Sequence, residues 1–313
     1  MLRYEYKYFV PNSKLDLLRS LIKPFTVLDK FAASRPEQEY TVRSIYFDTP
    51  DFECYHTKID GQKHRNKVRL RGYNKEKSSN TVFLEIKRKY EAPILKNRAP
   101  MRYAYAKSLF NGINPELFIK NSPKFEEARQ NASRFMYNIH ARKMKPVVCV
   151  IYEREPYLTA QEDPDNNLRI TFDKNLRGTP YPTVDDLYRE ERARTAIQGI
   201  FILEVKFNKF YPVWMKPIVA MLGLVKESAS KYCLCIDAHP SINVHRPFQT
   251  FSYGRIMGPS TKEKNEHRRK RLAKMKKKEK KKRKKEKKRL KALQKLANEQ
   301  SNDSNDNSKT VVE

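Results

Sequence analysis

The chain has 313 residues, a formal net charge of +30 and a mean hydropathy of −0.84, so it is sized for one large domain with an appendage or for two domains. No apolar run approaches the roughly 18–20 residues that a membrane span needs, and the first residues carry no apolar signal core. Cys54, Cys149, Cys233 and Cys235 form no CxxC pair and no metal-ligand spacing, which speaks against a disulfide framework and for a reducing compartment. The expectation is a soluble, cytoplasmic protein, at most peripheral at a membrane. Residues 262–297 hold 21 basic against 4 acidic side chains, and residues 1–261 still carry +16. The body is basic in its own right, which predicts a polyanion or a phosphate-rich small molecule as partner.

In chain order, residues 3–10 alternate as a strand, with Arg3, Glu5 and Lys7 on one face and Tyr4, Tyr6, Tyr8 and Val10 on the other. Ser13 with Asp16 is the expected cap of a short helix whose apolar positions are Leu15, Leu17, Leu18, Leu21 and Ile22, stopped by Pro24. Residues 39–48 are strongly β-prone, and 52–60 form a connecting piece with room for a strand. Gly61 opens a turn into 67–73, where Arg69, Arg71 and Tyr73 oppose Val68 and Leu70. A Lys/Ser/Asn turn at 75–80 makes a hairpin with 81–89, which sets Phe83, Glu85, Lys87 and Lys89 against Val82, Leu84, Ile86 and Arg88.

Ser122-Pro123 starts a helix that runs through 125–141. Strand 147–157 aligns Val148, Val150, Tyr152 and Arg154, and strand 168–173 sets Arg169, Thr171 and Asp173 against Leu168, Ile170 and Phe172. Residues 183–198 read either as a helix capped by Thr183 and Asp186 or as a mobile loop. Strand 200–207 opposes Glu204 and Lys206 to Phe201, Leu203, Val205 and Phe207. A helix over 213–222 and a last strand at 231–236 close the folded part. Residues 241–261 read as a linker, 262–297 as a Lys/Arg-rich tail, helical or disordered, and 298–313 as a disordered polar terminus.

One charged-out strand is ordinary in an antiparallel sheet. Six of them, with Arg, Lys and Glu repeated at the middle, predict a closed barrel with a basic inner wall and helices packed outside. The six histidines share no spacing and are expected to be structural or exposed. Cys233 and Cys235, on the predicted face of Lys231, are expected as small packing residues rather than a metal pair. The tail is lysine-dominated and lacks aromatics, which speaks against base stacking and sequence readout. It is expected to attract polyphosphate, RNA or an anionic membrane without sequence-specific nucleic-acid binding, or to serve only as a solvated, charge-mixed helix.

The ordered blocks RYEYKYFV, YTVRSIYFDT, DGQKHRNKVRLRGY, FLEIKRK with Lys96 and Arg98 following, YEREPY, LRITFD, LEVKF and SKYCLCI together resemble the vacuolar transporter chaperone (VTC) polyphosphate polymerase domain. That domain belongs to the triphosphate tunnel metalloenzymes, which also include the CYTH-type enzymes. The resemblance spans residues 1–237 and implies an α+β domain over 1–240: an eight-stranded antiparallel β tunnel barrel with flanking helices. It implies transfer of the ATP γ-phosphate to a growing inorganic polyphosphate chain, with Mn²⁺ or Mg²⁺. Matched by position, it assigns phosphate contacts to Lys7, Arg69, Arg71, Lys87, Arg154, Arg169, Lys206 and Lys231. Glu204 becomes the acidic metal ligand, and Lys87, Arg154, Arg169 and Glu204 the catalytic set. Tyr152, Lys96, Ser230, Lys58 and Arg98 are weaker matches; from its residue type alone Tyr152 fits barrel packing equally well, and Glu204 a salt bridge to Lys206 or Arg169.

CYTH enzymes begin ExExK, whereas Arg3 stands at the first Glu position here, as in VTC-type domains. That favours polymerase over triphosphatase. The rivals are an inorganic triphosphatase of the same fold, a non-catalytic polyphosphate-binding accessory protein and a tail-driven nucleic-acid binder. The inositol-phosphate-sensing domain and transmembrane helices of eukaryotic VTC proteins have no counterpart in these residues, and a separate membrane protein partner is left open.

Overall fold

The computed structural model describes residues 3–77, 79–90, 94–110, 119, 125–161 and 166–244. The expected helix start at Ser122-Pro123 and everything expected of 245–313, the tail included, lie outside them. The strands are β1 (Tyr4–Pro11), β2 (Thr26–Leu28), β3 (Tyr40–Asp48), β4 (His64–Tyr73), β5 (Thr81–Tyr90), β6 (Ile94–Arg102), β7 (Lys145–Thr159), β8 (Arg169–Pro180), β9 (Arg194–Thr195) and β10 (Ile200–Phe207). Eight of them run in one hydrogen-bonded order, β1-β10-β8-β7-β3-β4-β5-β6, with β2 on β7 and β9 on β8. Every neighbouring pair is antiparallel.

One side-chain contact shows how far this sheet curls. β1 and β5 stand first and seventh in the order, and six steps of about 4.8 Å would hold them about 29 Å apart in a flat sheet. Yet Glu5 Oε2 of β1 lies 3.4 Å from Lys87 Nζ of β5. The sheet is therefore rolled into a barrel, and side chains rather than backbone pairs join its two ends among the described residues. The free edge of β1 is partly covered, because Glu227 N donates to Lys7 O at 2.8 Å and Lys226 bridges Tyr8.

The alternation read along the strands holds, with charges pointing inward. Outside, the apolar sets build two cores. Tyr8, Val10, Phe172, Phe201, Leu203 and Val205 pack with Leu18 and Ile22 of α1 (Leu15–Ile22) and with Met215 and Ile218 of α6 (Met215–Met221). Val68, Leu70, Val82, Leu84 and Ile86 pack with Phe135, Met136 and Ile139 of α5 (Phe125–Ala141). The short α4 (Ala106–Phe110) packs on this core through Ala106, and α2 (Lys30–Ala33) buries Ala32 apart from both cores. No helix among the described residues is long and apolar enough to cross a membrane.

Four local expectations change. Ser13 caps nothing: α1 follows a 3₁₀ turn at Asn12–Lys14, and its N-cap is Lys14 without a side-chain bond. Residues 52–60 hold no strand but α3 (Glu53–Ile59), whose Cys54 and Tyr55 amides donate to buried Asp48. Thr183 and Asp186 do form a capping box, on a 3₁₀ helix, Val184–Tyr188. The expected last strand is helix α7 (Lys231–Asp237), capped by Ser230, whose hydroxyl accepts from Cys233 N. Its short alternating apolar run fits strand and buried helix equally. Position decides: α7 packs on β7 and β8, where Gly178 leaves it room. A Cβ on Gly178 would come within 2.9 Å of Cys235 Cβ.

Candidate active site

The barrel interior is organised by buried carboxylates that gather bases from many elements. On β10, Glu204 is 3% exposed. Its Oε1 meets Lys231 Nζ at 2.6 Å and Lys7 Nζ at 3.5 Å, and its Oε2 meets Lys206 Nζ at 2.6 Å and Arg154 Nη2 at 3.4 Å. Asp173 of β8, fully buried, takes a two-pronged pair from Arg154 at 2.7 and 2.7 Å and Lys231 Nζ at 2.5 Å. Tyr152 is buried beneath these cations, its ring 5.2 Å from the Arg154 guanidinium and 4.9 Å from Lys231 Nζ.

A second cluster surrounds Glu85 of β5, which is 0% exposed. Arg69 Nη2 lies at 2.6 Å, Lys96 Nζ at 2.8 Å, Arg98 Nε at 3.2 Å and Arg71 Nε at 3.8 Å. Glu5 links Lys7 of the first cluster to Lys87 of β5, at 3.3 and 3.4 Å.

Burial alone would raise all four carboxyls, but the surrounding cations win. Lys7 and Lys87 hold Glu5 well below the usual carboxylate range, Arg69 and Arg71 do so for Glu85 and Lys206 and Lys231 for Glu204, while Arg154 and Lys231 lower Asp173. Burial pulls Lys231 down, yet Asp173 and Glu204 push it above its ordinary value. Lys206 goes the other way, because burial outweighs its acid partner. Burial pushes the Tyr46 phenol up, but Arg69, which donates to its oxygen at 2.8 Å, acts with Lys67 and Arg71 to bring it down to about 8.

Of the residues singled out from the sequence, the structure brings together Lys7, Arg69, Arg71, Lys87, Lys96, Arg98, Arg154, Tyr152, Glu204, Lys206 and Lys231. Ser230 caps the helix that carries Lys231. Two sit apart from the carboxylate clusters. Arg169 pairs with Asp29 at 3.2 Å and donates to Tyr40, and Lys58 donates to Ser228 Oγ at 3.0 Å. Sequence reasoning placed Glu5, Glu85 and Asp173 on charged faces without giving them a role. The signal was there, since each shares its strand face with assigned bases.

Among the described residues, no group of three or more His, Cys, Asp or Glu side chains could hold a metal ion. All four cysteines are buried and free, and Cys233 and Cys235 pack in the core as expected. Buried His239 contacts Gly178 O at 2.7 Å, a structural role.

Lys7, Arg69, Arg71, Lys87, Lys96, Arg98, Arg154, Lys206 and Lys231 thus face four acids within one enclosed wall. That excess of donors defines the class by its architecture: an antiparallel barrel whose inner wall carries more bases than acids. The chain belongs to the VTC domain family, whose model matches residues 2–239. It is 28% identical over 189 residues to vacuolar transporter chaperone complex subunit 4 of Schizosaccharomyces pombe, covering 54% of this chain and 25% of that protein. The subunit 4 of Trypanosoma brucei brucei is 26% identical over 204 residues, covering 56% and 25%. The matched part therefore spans about a quarter of the length of these curated relatives. A solved Bacillus halodurans structure, provisionally named an adenylate cyclase, aligns over 74% of this chain and 96% of its own at 13% identity, with a TM-score of 0.38.

Proposed function

We propose that the chain is a metal-dependent polyphosphate polymerase, transferring the γ-phosphate of ATP to a growing inorganic polyphosphate chain inside the basic barrel. The observation that carries this is the pair of clusters just described: cations from β1, β4, β5, β6, β7, β10 and α7 converge on one interior and outnumber its acids. Membership of the VTC domain family supports it.

In the transfer, a terminal oxygen of the polyphosphate chain forms a bond to the γ-phosphorus. The β–γ anhydride bond breaks, and ADP leaves with the electron pair. The attacking oxygen is already ionised, so no general base is required. The barrel's work is positioning and charge stabilisation. Arg154, held bidentately by Asp173, presents a fixed fork to phosphate oxygens. Lys7, Lys87, Lys206 and Lys231 act as point charges, and Arg69 and Arg71 extend the donor wall along the chain. Arg169, toward the end of the barrel, contacts the substrate outside the Glu204 cluster.

Glu204 and Asp173 share one ammonium, Lys231 Nζ, at 2.6 and 2.5 Å. A hard divalent cation held by one or two carboxylates and completed by phosphate oxygens fits such a pair, whereas a full protein cage is not needed. Glu204, beside Asp173, would hold Mn²⁺ or Mg²⁺, which neutralises charge on the transferring phosphate. The two relatives are named as subunits of a complex, and a separate membrane protein partner for this chain is part of the same proposal.

The test is incubation with ATP and Mn²⁺, with product length followed on a gel. Wild type yields long chains. Glu204→Gln and Arg154→Ala lose about 100-fold or more in rate, the scale for removing a charge-stabilising group. Release of inorganic phosphate without polymer would make the protein a triphosphatase instead. Binding without turnover would make it an accessory polyphosphate-binding protein.

A further inference from the structure

The cation row Lys67–Lys87–Lys96 crosses three adjacent strands. Lys67 is the Cα partner of Lys87, and Lys87 of Lys96. Like charges facing across a sheet are destabilising, so each is expected to find an acid. Lys87 has Glu5 and Lys96 has Glu85. Lys67 alone of the three has no carboxylate within salt-bridge distance among the described residues. Its half-buried ammonium instead donates to Ser230 Oγ at 2.7 Å and lies 5.7 Å from the Tyr232 ring centre.

That bond changes what Ser230 can do. A hydroxyl has two acceptor lone pairs and one donor hydrogen. Buried Ser230 already accepts from Lys67 Nζ and from Cys233 N. Both acceptor positions are therefore filled, and only the O–H remains, so Ser230 is a donor toward anything in the barrel. Lys67 itself keeps two N–H bonds beyond the one given to Ser230. Next to them, Lys7 Nζ donates to Ala229 O at 3.0 Å. Lys7 has Glu5 and Glu204 as counter-charges, whereas the Lys67 ammonium and the Ser230 O–H are donors with no carboxylate beside them among the described residues, which suits the oxygens of a phosphoanhydride chain.

We infer that Lys67 is a further phosphate-contacting residue, acting as a pair with Ser230 to hold one phosphoryl group of a linear polyphosphate at the β4–α7 side of the barrel. The phosphate supplies the negative charge that the row lacks. The inference rests on the proposed reading of the interior as a phosphate site, and it is tested by binding rather than by polymerisation.

The experiment is calorimetric titration of the full chain with sodium tripolyphosphate, beside ligand-free melting curves. Lys67→Met is expected to weaken binding by about tenfold, the scale of one charge-assisted hydrogen bond. Its ligand-free Tm is expected to equal or exceed that of wild type, because an uncompensated charge has gone. Ser230→Ala weakens binding by about threefold, and the double variant by less than the product of the two, since the pair acts together. Lys67→Arg retains most of the affinity.

Binding by Lys67→Met within about twofold of wild type overturns the inference, given the size expected for such a contact. So does a lowered ligand-free Tm with unchanged binding, which would assign Lys67 to bracing α7. A wild type that binds tripolyphosphate and makes no polymer removes only the polymerase reading. One that binds no tripolyphosphate removes both.

Discussion

The Glu85 and Glu204–Asp173 clusters use the same materials in different ways. Glu85 draws its cations from strands beside it in the sheet: Arg69 of β4 and Arg98 of β6 are its own Cα partners. Two of its bases reach water, the side chains of Lys96 and Arg98 being 42% and 38% exposed. The other cluster collects Lys7 from β1, Arg154 from β7, Lys206 from β10 and Lys231 from a helix, around two acids with almost no exposure. Cross-strand register alone builds the first. Register supplies part of the second too, Lys7 being the Cα partner of Glu204 and Arg154 of Asp173, and the docked helix adds Lys231 to both acids. The first is thus a partly hydrated site whose bases can exchange partners, and the second a dry, over-determined one.

The largest effect that separates them is on stability. Asp173→Asn leaves Arg154 and Lys231 short of a buried partner, and it is expected to cost about 3–5 kcal/mol in chemical denaturation. Glu85→Gln is expected to cost less, about 1–3 kcal/mol, because Lys96 and Arg98 can turn to solvent. Equal costs in urea titration would erase the distinction between dry and hydrated clusters.

A middle-sized effect comes from ligand. Tripolyphosphate at about 100 times its dissociation constant is expected to stabilise wild type by about 2.7 kcal/mol. In melting curves its stabilisation is expected to be larger for Glu85→Gln than for wild type, since the anion replaces the missing charge. For Asp173→Asn it is expected to be no larger than for wild type. The reverse order would show that the dry cluster, not the hydrated one, exchanges its partners.

The smallest effect is spectroscopic and belongs to the Glu85 side. Tyr46 is expected to ionise near pH 8 in an absorbance titration, against about 10 for a tyrosine free in water. Its folded value lies below its unfolded one, so its contribution to stability is absent at neutral pH and grows from about pH 8 to about 10. Bound tripolyphosphate, by neutralising Arg69 and its neighbours, is expected to move this ionisation upward. A titration unmoved by saturating ligand would place the anion away from Arg69.

The inward residues of β1, β4, β5, β8 and β10 were legible because a strand's period of two separates Lys7, Arg69, Lys87, Arg169 and Glu204 from their apolar neighbours. The acids Glu85, Asp173 and Glu5 were visible on the same faces. Their role was not, because it depends on which strands pair and in what register, and for Glu5 on the base it meets across the barrel. Arg169, expected in the catalytic set, pairs with Asp29 on the loop before α2 rather than with Glu204, a partner that no strand pattern announces. Residues 231–236 were misread because six mostly apolar positions carry no period that separates a buried helix from a strand.

Alternation and charge along the chain determined a basic-walled antiparallel barrel, since which face a side chain takes is a local property of an extended backbone. Tertiary structure decided how far the sheet rolls, that Lys231 enters on a helix, and which acid each base meets. Those outcomes depend on contacts between residues as far apart as Glu5 and Lys87 or Asp173 and Lys231. No local pattern encodes such distances; packing of the outer cores sets them.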